Sequence, residues 1–178
     1  MKKENLWILD IIIRYVLVAL SFLIIPIFYI IFKPLTVGLV GLIMGIFYNV
    51  QVQGNILFFS RFNAYIEIVD ACVAGSAYFL LFLLNLLTRE IKVLKRIYAL
   101  LFSFACLFLI NILRIVVIIP MFLSNSSWFD FTHKFFWFVL SVVFVALIWI
   151  LTIRVFRISK VPVYSDVAFI CSKKERNN

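Results

Sequence analysis

The sequence predicts an all-α polytopic membrane protein of about five transmembrane helices with a small extracytoplasmic β-hairpin before the third. Three observations predict it. Of the 178 residues, 66% are hydrophobic and 14% charged, with a mean hydropathy of +1.16; a soluble domain is roughly 45–50% apolar and about 25% charged, so that class is excluded. Apolar runs over residues 15–32, 71–87, 97–123 and 135–153 each approach or exceed the ~18–20 residues that cross a hydrocarbon core of about 30 Å. The 17 Lys and Arg, against 8 Asp and Glu, cluster beside those runs. A net charge of +9 would suggest nucleic acid in a soluble chain, but this placement makes it a topology signal, and no nucleic-acid partner is expected.

Met1-Lys2-Lys3-Glu4 before an apolar stretch has the look of a signal peptide, yet the run continues to Phe32 without a small-residue cleavage site, which predicts a retained first helix. Lys33-Pro34 should break that helix, leaving residues 35–48 as a short second span. Counting it as a full span puts the N-terminus outside. Treating it as re-entrant, or dividing residues 6–32, puts Lys2, Lys3 and Arg14 inside, as the charge rule prefers. Gly41 and Gly45 form a GxxxG pair that permits close helix approach.

The segment 51–70 differs in kind. Val50-Gln51-Val52-Gln53 and Tyr65-Ile66-Glu67-Ile68 alternate with the period of a half-buried strand, and Gly54-Asn55 and Ser60-Arg61-Phe62-Asn63 carry turn chemistry, giving a hairpin or meander. The span 71–87 follows. Arg89, Lys92, Lys95 and Arg96 form a basic loop, and Arg154, Arg157, Lys160, Lys173, Lys174 and Arg176 follow the last span. With these inside, residues 51–70 and 124–132 lie outside. One membrane-embedded domain, residues 1–160, and a cytoplasmic tail, 161–178, is the simplest division.

Three polar residues then fall on the outer side: Cys72, Arg114 and His133. Arg114 lies 18 residues beyond Arg96, or about 27 Å along a helix. An arginine in an apolar run costs about 2.5–3.5 kcal/mol on insertion scales and faces a cavity or partner unless it snorkels to headgroups. Asn111 lies one turn below it. With Asp70 as N-cap, Cys72 sits in the first helical turn, where free N–H groups favour a thiolate, and Gly75, Ser76 and Phe79 share its face, Gly75 leaving room for a substrate backbone. The bland alternatives are a packing cysteine and an interfacial histidine among Trp128, Phe129 and Phe131. Asp130 either orients the ring of His133 or caps its helix. Cys106 and Cys171 lack comparable surroundings. No spacing suits a disulfide framework, a metal or a phosphate loop, so no cofactor is expected. Together a thiol, an imidazole and a guanidinium supply a nucleophile, a proton carrier and a charge for an oxyanion, which suits acyl transfer through a thioester.

From Val50 to His133 these residues resemble the exosortase/archaeosortase family of membrane-embedded sorting enzymes. The resemblance rests on Val50-Gln-Val-Gln-Gly54-Asn55-Ile56, Ile66-Glu67-Ile68-Val69-Asp70-Ala71-Cys72, Asn111-Ile112-Leu113-Arg114-Ile115 and the later His133. It implies a multi-pass cysteine transpeptidase or peptidase with an outward-facing site in the cell membrane. Its substrates would be surface proteins with a tripartite C-terminal sorting signal of short motif, transmembrane helix and basic cluster. Cys72 would be the nucleophile, Arg114 and His133 would stabilise charge and move protons, and the acyl group would pass to an acceptor, a lipid in archaeal members. Family members often read Ala-Cys-Ser-Gly where this chain reads Ala71-Cys72-Val73-Ala74-Gly75, and larger members carry further N-terminal spans, which places the chain among short archaeal members. The alternative from another class is a non-catalytic membrane scaffold or transporter subunit.

Overall fold

The computed structural model describes residues 22–88, 92–136 and 141–158. The first part of the expected first span with Lys2, Lys3 and Arg14, the basic residue Arg89, and the tail 161–178 with Cys171 lie outside the described residues.

A 3₁₀ turn, Phe22–Ile24, leads into α1, Ile25–Phe47. The expected break at Lys33-Pro34 does not occur: Pro34 lies inside this one helix, so residues 35–48 are not a separate span. Proline costs a helix about 3 kcal/mol. Strongly apolar flanks leave the neighbouring backbone groups no better way of being satisfied than the helical ladder, the circumstance in which interior prolines persist.

The chain then turns into a three-stranded antiparallel meander rather than a two-stranded hairpin: β1, Val50–Gln53, β2, Ile56–Phe59, and β3, Ala64–Glu67, in the order β1-β2-β3. Gln53 pairs with Ile56 across the Gly54-Asn55 loop, and Gly54 takes φ 59°, which glycine adopts without a Cβ clash. Gly41 admits the sheet to α1, since a Cβ there would meet Val52 at 2.6 Å, whereas Gly45 has nothing within 4 Å. The GxxxG expectation is thus corrected, because the close approach at Gly41 is to a strand.

Four helices complete the described fold after a short α2, Asp70–Val73: α3, Gly75–Leu87, α4, Val93–Leu123, α5, Phe129–Phe135, and α6, Ser141–Val155. The single expected helix over 71–87 is two, divided at Ala74, which adopts the left-handed conformation at φ 59° and ψ 36°. Lys95 and Arg96, expected in a loop, belong to the first turn of α4, and the Arg96 guanidinium donates to the Thr88 carbonyl at 2.8 Å. The 31-residue α4 joins two apolar clusters. One gathers Val37, Val40 and Met44 with Leu57 and Phe59 of the sheet and Ile112, Ile115 and Ile119. The other gathers Phe28, Tyr78, Leu81, Leu107, Ile148 and Trp149. Between them Phe32 stacks on Tyr78 at 3.8 Å, edge-on to Phe104.

Two helices, Phe22–Phe47 and Val93–Leu123, are long and apolar enough to cross a membrane, and Gly75–Leu87 and Val142–Val155 are shorter apolar helices. Buried Thr152 donates to the Ile148 carbonyl and Asn85 Nδ2 to the Leu81 carbonyl, so both donors are met within their own helix, while the Asn85 Oδ1 is buried without a hydrogen-bond partner among the described residues.

Candidate active site

Cys72 is placed by an abrupt sequence of turns. β3 runs into Ile68 and extended Val69, the N-cap of α2 at φ −79° and ψ 164°, and the Cys72 N–H donates to the Val69 carbonyl at 2.8 Å. Asp70 was the expected cap; it lies one residue further in and instead pairs with Lys33 of α1 at 2.8 Å. The pair is exposed enough to contribute only about 0–1 kcal/mol. Its effect is to fix α2 against α1.

Because α2 ends at Val73, the Cys72 carbonyl in its last turn has no intrahelical partner. The turn at Ala74 leaves the Cys72 carbonyl oxygen beside α4, where it accepts from Asn111 Nδ2 at 2.8 Å and from the Arg114 guanidinium at 3.1 Å. These residues are one helical turn apart on one face, as the sequence spacing requires. Asn111 was recognised only as a neighbour of Arg114, and its bond to Cys72 is the contact sequence reasoning missed. The signal that pointed to it was an amide side chain inside an apolar run.

The same break removes the shared face expected for Cys72, Gly75, Ser76 and Phe79. Nor does Gly75 leave an open approach, since a Cβ there would lie 2.5 Å from the ring of Tyr29. Access to Cys72 is from the other side. A cavity of about 350 Å³ is walled by residues 65–69, by Ile115, Ile118, Ile119 and Phe122 of α4, and by Phe129 of α5; Cys72, Arg114 and His133 all line it. Three residues far apart in sequence are thus brought to one apolar chamber. His133 lies in α5, with its ring 5.6 Å from that of Phe129; the residues that link α5 to α6 lie outside the described ones.

The chamber sets the electrostatics of the thiol. Burial pushes Cys72 up from the ordinary thiol value, while the Arg114 guanidinium, the Val69 backbone contact and Lys33 oppose that rise. The Nε of Arg114 is buried and has no hydrogen-bond partner among the described residues. Such a donor costs about 1–3 kcal/mol or more when charged, and an oxygen atom arriving in the cavity would recover it. Cys106 is half-buried beside the second apolar cluster, away from these groups. Among the described residues no group of three or more His, Cys, Asp or Glu is placed to hold a metal ion.

The chain matches no family model, no curated protein and no solved structure.

Proposed function

We propose that the chain is a polytopic membrane cysteine transpeptidase or peptidase of the exosortase/archaeosortase kind, cleaving C-terminal sorting signals of surface proteins. The observation that carries this reading is the convergence of Cys72, Arg114 and His133 on one apolar cavity.

The membrane part rests on exposure. Only 22% and 28% of the most apolar windows of the two long helices are buried, unlike the core helix of a soluble protein. Leu23 (78% exposed), Ile30 (72%), Leu113 (63%) and Val142 (71%) face outward, a surface that suits lipid rather than water. With α1 continuous, the described residues supply four apolar helices in place of about five. Lys95 Nζ lies 3.5 Å from the Arg157 carbonyl, so α4 starts where α6 ends, and these basic groups mark the cytoplasmic face. Arg114, 18 residues above Arg96 and so about 27 Å away, lies at the opposite face with Cys72. The cavity then opens to the outside of a cell membrane.

In the reaction His133 accepts the Cys72 proton and the sulfur attacks the scissile carbonyl carbon. The resulting oxyanion meets the guanidinium of Arg114. The C–N bond breaks, the imidazolium protonates the departing amine, and a thioester remains. An acceptor hydroxyl or amine, a lipid headgroup among them, gives its proton to His133 and attacks the thioester; the C–S bond breaks and the proton returns to sulfur. Water in place of the acceptor gives hydrolysis by the same groups. No cofactor enters either course.

One observation favours a second reading, a non-catalytic scaffold or transporter subunit: Arg114 and Asn111 both hold the Cys72 main chain, as a purely structural clamp would. C-terminal mass spectra of surface proteins decide between them. Wild-type cells should show truncated C-termini, with or without added lipid mass, and Cys72→Ala cells intact anchor helices. Identical termini in the two strains would remove the enzyme reading.

A further inference from the structure

The cavity at Cys72 has an unusual wall. Five consecutive residues, Tyr65 to Val69, line it, whereas the face of a strand offers alternate residues. Consecutive lining means that the cavity runs along the strand's edge and meets its backbone. β3 is an edge strand, since the described sheet ends with it.

The phase of that edge follows from the pairing. Ile68 N–H donates to the Asn55 carbonyl, so 55 and 68 form a hydrogen-bonded position. The register then makes Leu57–Ile66 and Phe59–Ala64 hydrogen-bonded as well, and Phe58–Tyr65 and Ile56–Glu67 not. The amides of Tyr65 and Glu67 therefore point away from β2, toward the open edge, and the Val69 N–H continues the same phase. The row is about 6.8 Å from one such residue to the next, and it leads without interruption into α2 and the thiol.

We propose that this edge is the binding strand for an extended polypeptide, which adds to β3 as a fourth strand and carries its scissile bond to Cys72. The delivery to Cys72 rests on the enzyme reading above; the strand addition does not. Alternating donors and acceptors at this spacing are complementary to a peptide backbone, and an acyl chain would leave them unpaired. The α4 side of the cavity, with Ile118 and Phe122, offers apolar surface to alternate side chains of the added strand. The one guanidinium in the wall, Arg114, stands where the edge ends, charge-complementary to a carbonyl oxygen arriving there. Recognition through the backbone tolerates varied side chains, so the substrate class is an unfolded, β-competent segment beside a membrane anchor.

The test uses the full chain carrying Cys72→Ala, in lipid nanodiscs. The probe is a pool of heptapeptides randomised in side chains, each with a central diazirine amino acid. Two sister pools carry N-methyl groups on the odd or on the even amides. Photoadducts are expected on residues 65–69 and on α4 near 118–122. One methylated pool should lose adducts by about tenfold, the other much less, because only one set of amides faces β3. Glu67→Pro, which removes an outward N–H and no bond to β2, should lower adducts by a similar factor, and Glu67→Ala should not. Absent adducts, or equal yields from the two methylated pools, would overturn strand addition, and the methylation contrast needs no altered fold. Unchanged processing in Cys72→Ala cells beside phase-dependent adducts would remove the enzyme reading and leave the binding strand standing.

Discussion

The thiol of Cys72 is held between two opposed influences, an apolar wall that disfavours its anion and a guanidinium that favours it. For an acid, burial raises the pKa, so alkylation of Cys72 by a small reagent should rise with pH through a midpoint above the ordinary value of about 8.5. Arg114→Leu removes the opposing charge and should move that midpoint further up, as a stopped alkylation series read by mass spectrometry will show. A shift downward would place Arg114 in another role. The two residues after Val73 make a paired prediction. Ala74 holds a left-handed backbone that costs a non-glycine residue about 1–2 kcal/mol, so Ala74→Gly should stabilise by about that amount. Gly75→Ala should destabilise by about 1–3 kcal/mol, because the Tyr29 ring occupies the space of the new Cβ. Thermal unfolding in detergent measures both.

At the scale of elements, the meander was legible because a period of two over residues 50–53 and 65–68 has no other use, and because glycine at position 54 marks a turn. The end of α1 was not legible. Pro34 reads as a breaker in water, but among apolar neighbours the rest of the ladder outweighs one lost bond. Pro34→Ala should accordingly preserve the fold and raise stability by up to about 3 kcal/mol. Two helices meeting at residue 34 would show no gain. The division of α2 from α3 was hidden for the opposite reason, since alanine favours helix and Ala74 turns only because Val73 packs into the first apolar cluster while Tyr78 packs into the second. Cys72, Arg114 and His133, which line one cavity, could be singled out from their chemistry, the inferred topology and the family resemblance. The cavity that unites them depends on β3, α2, α4 and α5 meeting at one place, and contacts between residues so far apart along the chain leave no local pattern in it.

The molecule as a whole is arranged in two storeys along α4. In the proposed orientation the storey of Leu107, Tyr78 and Ile148 would lie in hydrocarbon, and the storey of the sheet and Ile119 at the outer interface. Single cysteines introduced at Arg61 and at Lys95, in a background with Cys72, Cys106 and Cys171 all replaced by alanine, should therefore react with a membrane-impermeant maleimide from opposite sides of sealed cells and inverted vesicles. Reaction of both from one side would contradict the four-helix orientation.

The order of residues along the chain gives the site a history. The edge of β3 and the thiol are made first, Asn111 and Arg114 follow 39 and 42 residues later, and His133 comes 61 residues after Cys72. At ~5–20 residues per second, the nascent chain carries its sulfur for roughly 3–12 s before the imidazole is synthesised. During that interval the neighbours entering the bilayer include the chain's own unpaired helices, and on the proposed chemistry the thiol has no base with which to attack them. On the proposed function, an enzyme that cuts beside membrane anchors would thereby stay inert while its own first helices enter the bilayer.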